Sequence, residues 1–130
     1  MLVLFVVFAG LVSGFAQIAG KTMNFLIADP DLSVFPVCTV TVTANCAIGY
    51  NVYDTTATRT KLNAAVIPIP VGATATTQDP FTSVFTRLGT STVVATELYK
   101  DFSGAQKETG DSIPLSFQIT KSAPTITAAP

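Results

Sequence analysis

The acidic side chains and the two cysteines are the residues of this sequence that could do chemistry. The chain of 130 residues holds eight acidic residues, two cysteines and no histidine. Without histidine, no side chain titrates near neutral pH unless its surroundings shift its pKa strongly. Neither a Ser-His-Asp nor a Cys-His arrangement can form. The acidic residues fall mostly in predicted loops and no spacing pairs two of them, so the sequence predicts a protein that is not an enzyme.

Three carboxylates share the most hydrophilic stretch of the chain, which runs from Lys100 to Asp111. Asp101, Glu108 and Asp111 could together bind Ca²⁺, but the regular oxygen spacing of a calcium loop is missing. Zinc spacing and a phosphate-binding glycine loop are also missing. The stretch therefore reads as a solvated loop, and we expect no cofactor, no metal and no small-molecule substrate. With a net charge of −1, the chain also lacks the basic patch of a nucleic-acid binder.

The cysteines, Cys38 and Cys46, allow two interpretations. Valine and threonine alternate between them, which predicts a strand with two buried free thiols on one face. In a single strand their Cα atoms would lie about 26 Å apart, too far for a disulfide. A bridge requires the chain to double back, and Ala44-Asn45 is the best place for that. Mass measurement with and without reductant separates the two.

The longest apolar stretch of the chain runs from Met1 to Ala28. It carries no charged side chain from Met1 to Gly20. A helix of 20 residues is about 30 Å long, the thickness of a bilayer core. We predict one hydrophobic helix over 1–28, ended by Pro30. A cleaved signal peptide is the alternative, but the basic start that such a peptide needs is missing.

Small residues form a ridge along this predicted helix and would let helix backbones approach one another. A solitary membrane anchor would not need such a ridge, so the pattern favours packing between helices. The residues predicted to pack in an assembly are Leu2, Phe5, Phe8, Gly10, Val12, Ser13, Gly14, Phe15 and Ile18.

Short strands follow a linker over 29–36, and they predict one head domain over 37–130. Period-two patterns and turn signals give six to seven strands, with a further edge strand possible over 123–130. Such a pattern is typical of an Ig-like β-sandwich. The predicted fold class is therefore α+β, a long N-terminal hydrophobic helix followed by an all-β sandwich head. Its expected core aromatics are Tyr50, Phe81, Phe85 and Phe117.

An apolar run such as Met1 to Ala28, followed by Thr-rich strands after Val37, resembles the archaeal type IV pilins and archaeal flagellins. The resemblance implies a structural subunit of an extracellular helical filament for adhesion or motility. Its helices would form the filament core and its heads the outer surface. The implied partners are copies of itself and, before assembly, the membrane. The basic pre-sequence of that family is absent, and Phe5 replaces the glutamate of bacterial type IV pilins.

Two other functions fit the same sequence pattern. The chain could be a single-pass, membrane-anchored minor structural protein of a membrane-containing virion. It could also be a secreted binding module whose signal anchor is not cleaved. The shape of the purified material separates these possibilities, because filaments, icosahedral particles and detergent-dependent monomers look different in negative stain.

Overall fold

Ten β-strands and one 3-10 turn form the described part of the protein. The computed structural model describes the backbone of residues 3–6, 16–18 and 22–130, and the side chains of residues 22–130. The strands are β1 (Val3–Val6), β2 (Ala16–Ile18), β3 (Thr22–Ala28), β4 (Cys46–Asp54), β5 (Thr60–Lys61), β6 (Ile67–Pro68), β7 (Asp79–Val84), β8 (Gly89–Lys100), β9 (Gln106–Glu108) and β10 (Leu115–Ile119). The 3-10 turn, η1, spans Pro30–Ser33.

The strands form two sheets. The smaller sheet has the order β1-β3-β7, and the larger has the order β2-β10-β8-β4-β5, with β6 beside β4 and β9 beside β8. The strand pairs are antiparallel except that β2 runs parallel to β10. The prediction of a mainly β, antiparallel domain is confirmed for the described residues.

Inward side chains from both sheets meet in one hydrophobic core. Alternate residues of β3 (Met23, Phe25 and Ile27) are buried, as the two-residue period of a strand requires. They pack with side chains of β4, β8 and β10 from the other sheet. The predicted core aromatics Tyr50, Phe85 and Phe117 are buried, and Phe81 packs half-buried against the same cluster.

The prediction of a single helix over 1–28 is wrong wherever the structure describes that stretch. Val3–Val6, Ala16–Ile18 and Thr22–Ala28 are strands. β3 is paired on both sides, by β1 and by β7, and it places Met23, Phe25 and Ile27 in the core while Thr22 and Asn24 face outward. Hydrophobicity alone does not separate such a strand from a membrane helix. Positions 1–2, 7–15 and 19–21 lie outside the described residues.

The predicted linker over 29–36 also differs from expectation. Its η1 turn buries Leu32 in the core, so this stretch packs against the domain. No helical element in the described part of the chain reaches the length and apolarity that crossing a bilayer requires.

The predicted strand from Cys38 to Ala44 is a loop, and the loop is closed by a disulfide. The Cα atoms of Cys38 and Cys46 lie 4.9 Å apart. The Thr39 amide donates to the Val42 carbonyl, and Thr39 Oγ1 accepts from the Val42 amide, both at 3.0 Å. Threonine side chains thus supply local turn bonds that compete with a strand. Asn45, with φ of 50°, turns the chain into β4.

The edges of the sheets show one agreement and one difference. The prolines of the apolar stretch over 62–71 predict an edge or extended segment, and Ile67–Pro68 forms a short edge strand there. No strand forms over 123–130, where every residue is exposed.

Candidate functional site

An acidic trough lies at the end of the core where β8 reaches Lys100. Two adjoining cavities, of about 340 Å³ and about 350 Å³, share Asp29, Asp31 and Glu97 in their walls. Phe35 and Phe102 line one end, and Ile113 lines the other. We call this surface the acidic trough. It combines carboxyl groups in the middle with apolar side chains at both ends.

The Asp29-Pro30-Asp31 sequence positions the first two carboxylates. Asp29 caps the η1 turn, and its Oδ1 accepts the Asp31 amide at 2.8 Å. Pro30 fits the first position of the turn because that position needs no backbone donor. Asp29 is only 3% exposed. The cap therefore holds one carboxylate inside the core and turns the chain along the rim of the trough.

Glu97 faces Asp29 from the larger sheet. It stands opposite Tyr50 in the register of β8 with β4, in step with the inward residues Val93 and Ala95. Burial, and then the hydrogen bond and charge of Asp29, raise the pKa of the Glu97 carboxyl from 4.5 to about 9. No donor from another described residue reaches Glu97 Oε2, which is fully buried. The Glu97 carboxyl is therefore held in its neutral form at neutral pH.

Two further polar groups complete the buried cluster behind the trough. Tyr50 is fully buried, and burial, followed by the charges of Glu97, Asp79 and Asp29, raises the pKa of its hydroxyl far above the usual range. Asp79, at the start of β7, is 4% exposed, and burial raises the pKa of its carboxyl. Within the described residues, the Tyr50 hydroxyl and Asp79 Oδ2 have no hydrogen-bond partner. We call the carboxyl groups of Asp29, Asp79 and Glu97, together with the Tyr50 hydroxyl that they surround, the carboxyl cluster.

The buried carboxyls of Asp79 and Glu97 favour their protonated forms. A neutral buried carboxyl links folding to pH, because its ionised form is penalised by burial. The stability of the domain is therefore expected to depend on pH through these two groups.

Two loops hold the aromatic end of the trough. Asp101 Oδ1 accepts the Ser103 and Ala105 amides at 2.9 and 3.0 Å, which fixes the turn that carries Phe102. The Asn45 amide donates to the Asp101 carbonyl at 3.1 Å and ties this turn to the disulfide loop. Phe102 is nevertheless 82% exposed. The ring is thus presented to solvent by an ordered turn.

The other two carboxylates of the hydrophilic loop have separate partners on the outer face of the larger sheet. Glu108 accepts from the Tyr53 hydroxyl at 2.7 Å and from the Thr96 hydroxyl. Asp111 receives both Arg59 nitrogens, at 2.8 and 2.9 Å, and that guanidinium lies 4.1 Å from the centre of the Tyr53 ring. No group of metal-ligating side chains suited to an ion occurs among the described residues.

The nine residues predicted to pack in an assembly cannot be placed by their side chains. Leu2, Phe8, Gly10, Val12, Ser13, Gly14 and Phe15 lie outside the described residues, whereas Phe5 and Ile18 are described only as backbone of β1 and β2. The disulfide that the sequence left open does form.

The sequence did not predict the carboxyl cluster, whose members come from four separate strands and turns. One signal was present. Glu97 is the one charged residue in the strand sequence STVVATELY, and it keeps the inward parity of Val93 and Ala95. Burying a charged side chain is costly unless it is paired, so a charged residue at an inward position of a strand predicts a buried polar partner.

Comparison with known proteins gives no relative: no protein-family model, curated protein or solved structure matches this chain.

Proposed function

We propose that the chain is a structural, non-enzymatic subunit of an extracellular helical filament of the type IV pilus kind, serving adhesion or motility. The observation that carries this proposal is apolar surface at the trough end of the domain. Val34, Phe35 and Phe102 are 68%, 48% and 82% exposed there. Phe35 and Phe102 line the same cavity, and exposed apolar side chains that lie together mark interaction surfaces. In a homopolymer, copies of the same chain cover them.

The disulfide supports the extracellular setting. Disulfides persist in oxidising compartments and are rare in the cytosol, and the Cys38–Cys46 bridge closes an exposed loop. The surface of that loop is rich in threonine, which suits an exterior that faces solvent.

Two antiparallel sheets around one core support the β-sandwich head of the proposal. The Ig-like connectivity, the membrane stage before assembly and the packing of the apolar residues between Leu2 and Ile18 remain predictions from the sequence. Because β1, β2 and β3 occupy Val3–Val6, Ala16–Ile18 and Thr22–Ala28, these three stretches belong to the sheets of the domain.

Negative-stain electron microscopy of the purified full chain tests the proposal. Thin filaments of uniform width are the expected result. Icosahedral particles would support the alternative, a minor structural protein of a membrane-containing virion. A detergent-dependent monomer would indicate a plain membrane anchor. Either of the last two results contradicts the filament.

A further inference from the structure

We propose that the acidic trough of one copy receives segment 121–130 of the next copy, so that subunits join head to tail. This inference rests on the proposed filament, because it names the contact that would link its heads. Three observations carry it, namely the chemistry of the trough, the exposure of the segment, and the positions of both on the domain.

The trough has the composition of a site for an extended, cationic and apolar peptide. Its walls carry the carboxyl groups of Asp29, Asp31 and Glu97 between apolar ends. Phe35 and Phe102 offer rings at one end, where extended proline-containing peptides commonly bind. A cation near the exposed Asp31 carboxylate and the rings also gains electrostatic energy, whereas Glu97, whose pKa burial raises to about 9, contributes no charge at neutral pH.

Segment 121–130 has the matching composition. Its sequence is KSAPTITAAP, in which Lys121 is the only charged side chain and Pro124 favours an extended backbone. Every residue of it is exposed, and Ile126 is 96% exposed. A large aliphatic side chain left in water on a ready-extended segment is a suitable anchor for an aromatic-lined groove.

The segment starts at the opposite end of the domain from the aromatic end of the trough. Ile119, the last residue of β10, pairs with Gly89 at the start of β8, whereas Tyr99 near the end of β8 lines the trough. These two points are about 33 Å apart along the strand. Ile126 reaches at most about 25 Å from Ile119. The segment therefore cannot seat Ile126 beside Phe102 of its own copy.

A contact between a site at one end and a segment at the other is heterologous. Such a contact repeats without limit when the rotation does not close a ring, and it then produces a helical filament. The arrangement thus accounts for open-ended assembly with one type of contact between heads.

Two single variants of the full chain test the contact. Phe102→Asp places a charge in the trough and Ile126→Asp places one in the segment. Both side chains are exposed, so both variants keep the fold, which circular dichroism and the unfolding midpoint verify. Leu88→Asp, at an exposed position outside the trough, is the matched control. The association state is measured by light scattering after size exclusion.

The expected result is that wild type and Leu88→Asp form filaments, whereas each test variant alone stays monomeric. Mixing Phe102→Asp with Ile126→Asp restores one contact and gives a species of twice the subunit mass that grows no further. The double variant should not associate with itself. Filaments from either test variant, or a mixture that remains monomeric, would overturn the trough contact. A wild-type chain that stays monomeric would overturn the proposed function as well, so the two failures are distinguishable.

Discussion

The two ends of the core are held together by different forces. At the end near Gly89, the rings of Phe25, Phe85 and Phe117 contact one another, with centroids 5.0 to 6.1 Å apart. At the end near Lys100, the core contains the carboxyl cluster instead. Ring contacts need no proton, whereas burial favours the neutral, protonated forms of Asp79 and Glu97 at the other end.

Because of this difference, the stability of one end of the core is independent of pH and that of the other end depends on it. The aromatic end contributes the same free energy of unfolding at every pH, because none of its groups titrates. The acidic end contributes a free energy that depends on proton concentration. The trough and its exposed rings lie at this second end. The proposed interaction surface therefore belongs to the part of the domain whose stability depends on pH.

Truncating the aromatic end should have the largest effect. Phe117→Ala removes a fully buried ring that contacts Phe25 and Phe85. We expect a loss of about 3–5 kcal/mol in the free energy of unfolding, measured by urea denaturation. The loss should be equal at pH 5 and pH 8. A loss that changes with pH would break the distinction between the two ends.

Opening the disulfide should have the next largest effect. The Cys38–Cys46 bridge closes a short loop, and replacing both cysteines with serine should lower the free energy of unfolding by about 2–3 kcal/mol. Reduction should also add the mass of two hydrogens to the intact chain. An unchanged mass after reduction would contradict the bridge, and an unchanged stability would show that the trough end does not depend on it.

Removing the ionisable group at the acidic end should change the pH dependence. The folded pKa of Glu97, about 9, exceeds its ordinary value of 4.5, so the folded state binds the proton more tightly than the unfolded state. The contribution of Glu97 to stability is then greatest below pH 4.5 and is lost as pH rises toward 9. Glu97→Gln should flatten this fall and stabilise the protein at pH 8 by on the order of 2 kcal/mol, after discounting for the part of the side chain that faces water.

The same substitution on the outer face is a matched control of opposite sign. Burial alone would raise the pKa of the Glu108 carboxyl, but hydrogen bonds from Thr96 and Tyr53 outweigh it and lower that pKa. Glu108→Gln should therefore remove stability that is present at neutral pH and lost in acid. If the urea midpoints of both variants moved in parallel from pH 4 to pH 8, Glu97 would not differ from a surface acid.

The smallest effect is expected at Arg59, away from both ends of the core. Its paired bonds to Asp111 and its contact with the Tyr53 ring lie on an exposed surface. Arg59→Ala should cost about 0.5–1 kcal/mol, and part of that loss should vanish in high salt. A larger loss, measured by the same denaturation, would place a third stabilising centre outside the core.

The aromatic end was predictable from the sequence and the acidic end was not. Phe117 falls in β10 and Phe85 continues the alternation of β7 one residue beyond its end, so their inward direction follows from a local pattern. The pair of Asp29 and Glu97 forms only when two sheets meet, and no local pattern encodes that meeting. Sequence spacing therefore finds the packed half of a core more readily than the half that is made by long-range contacts.

The N-terminal prediction failed for a related reason. The inward residues of β3 are apolar because the larger sheet covers them, and the strands of that sheet lie elsewhere in the sequence. Between Cys38 and Cys46, by contrast, the local pattern was present and was misleading. Alternating valine and threonine resembled a strand, while the threonines were supplying turn bonds.

Helical reconstruction of filaments from the wild-type chain would show directly where segment 121–130 lies. We expect density for this segment of one subunit in the acidic trough of the next, with Ile126 beside Phe35 and Phe102. Filaments in which the trough faces solvent, or in which the segment lies along its own subunit, would contradict it.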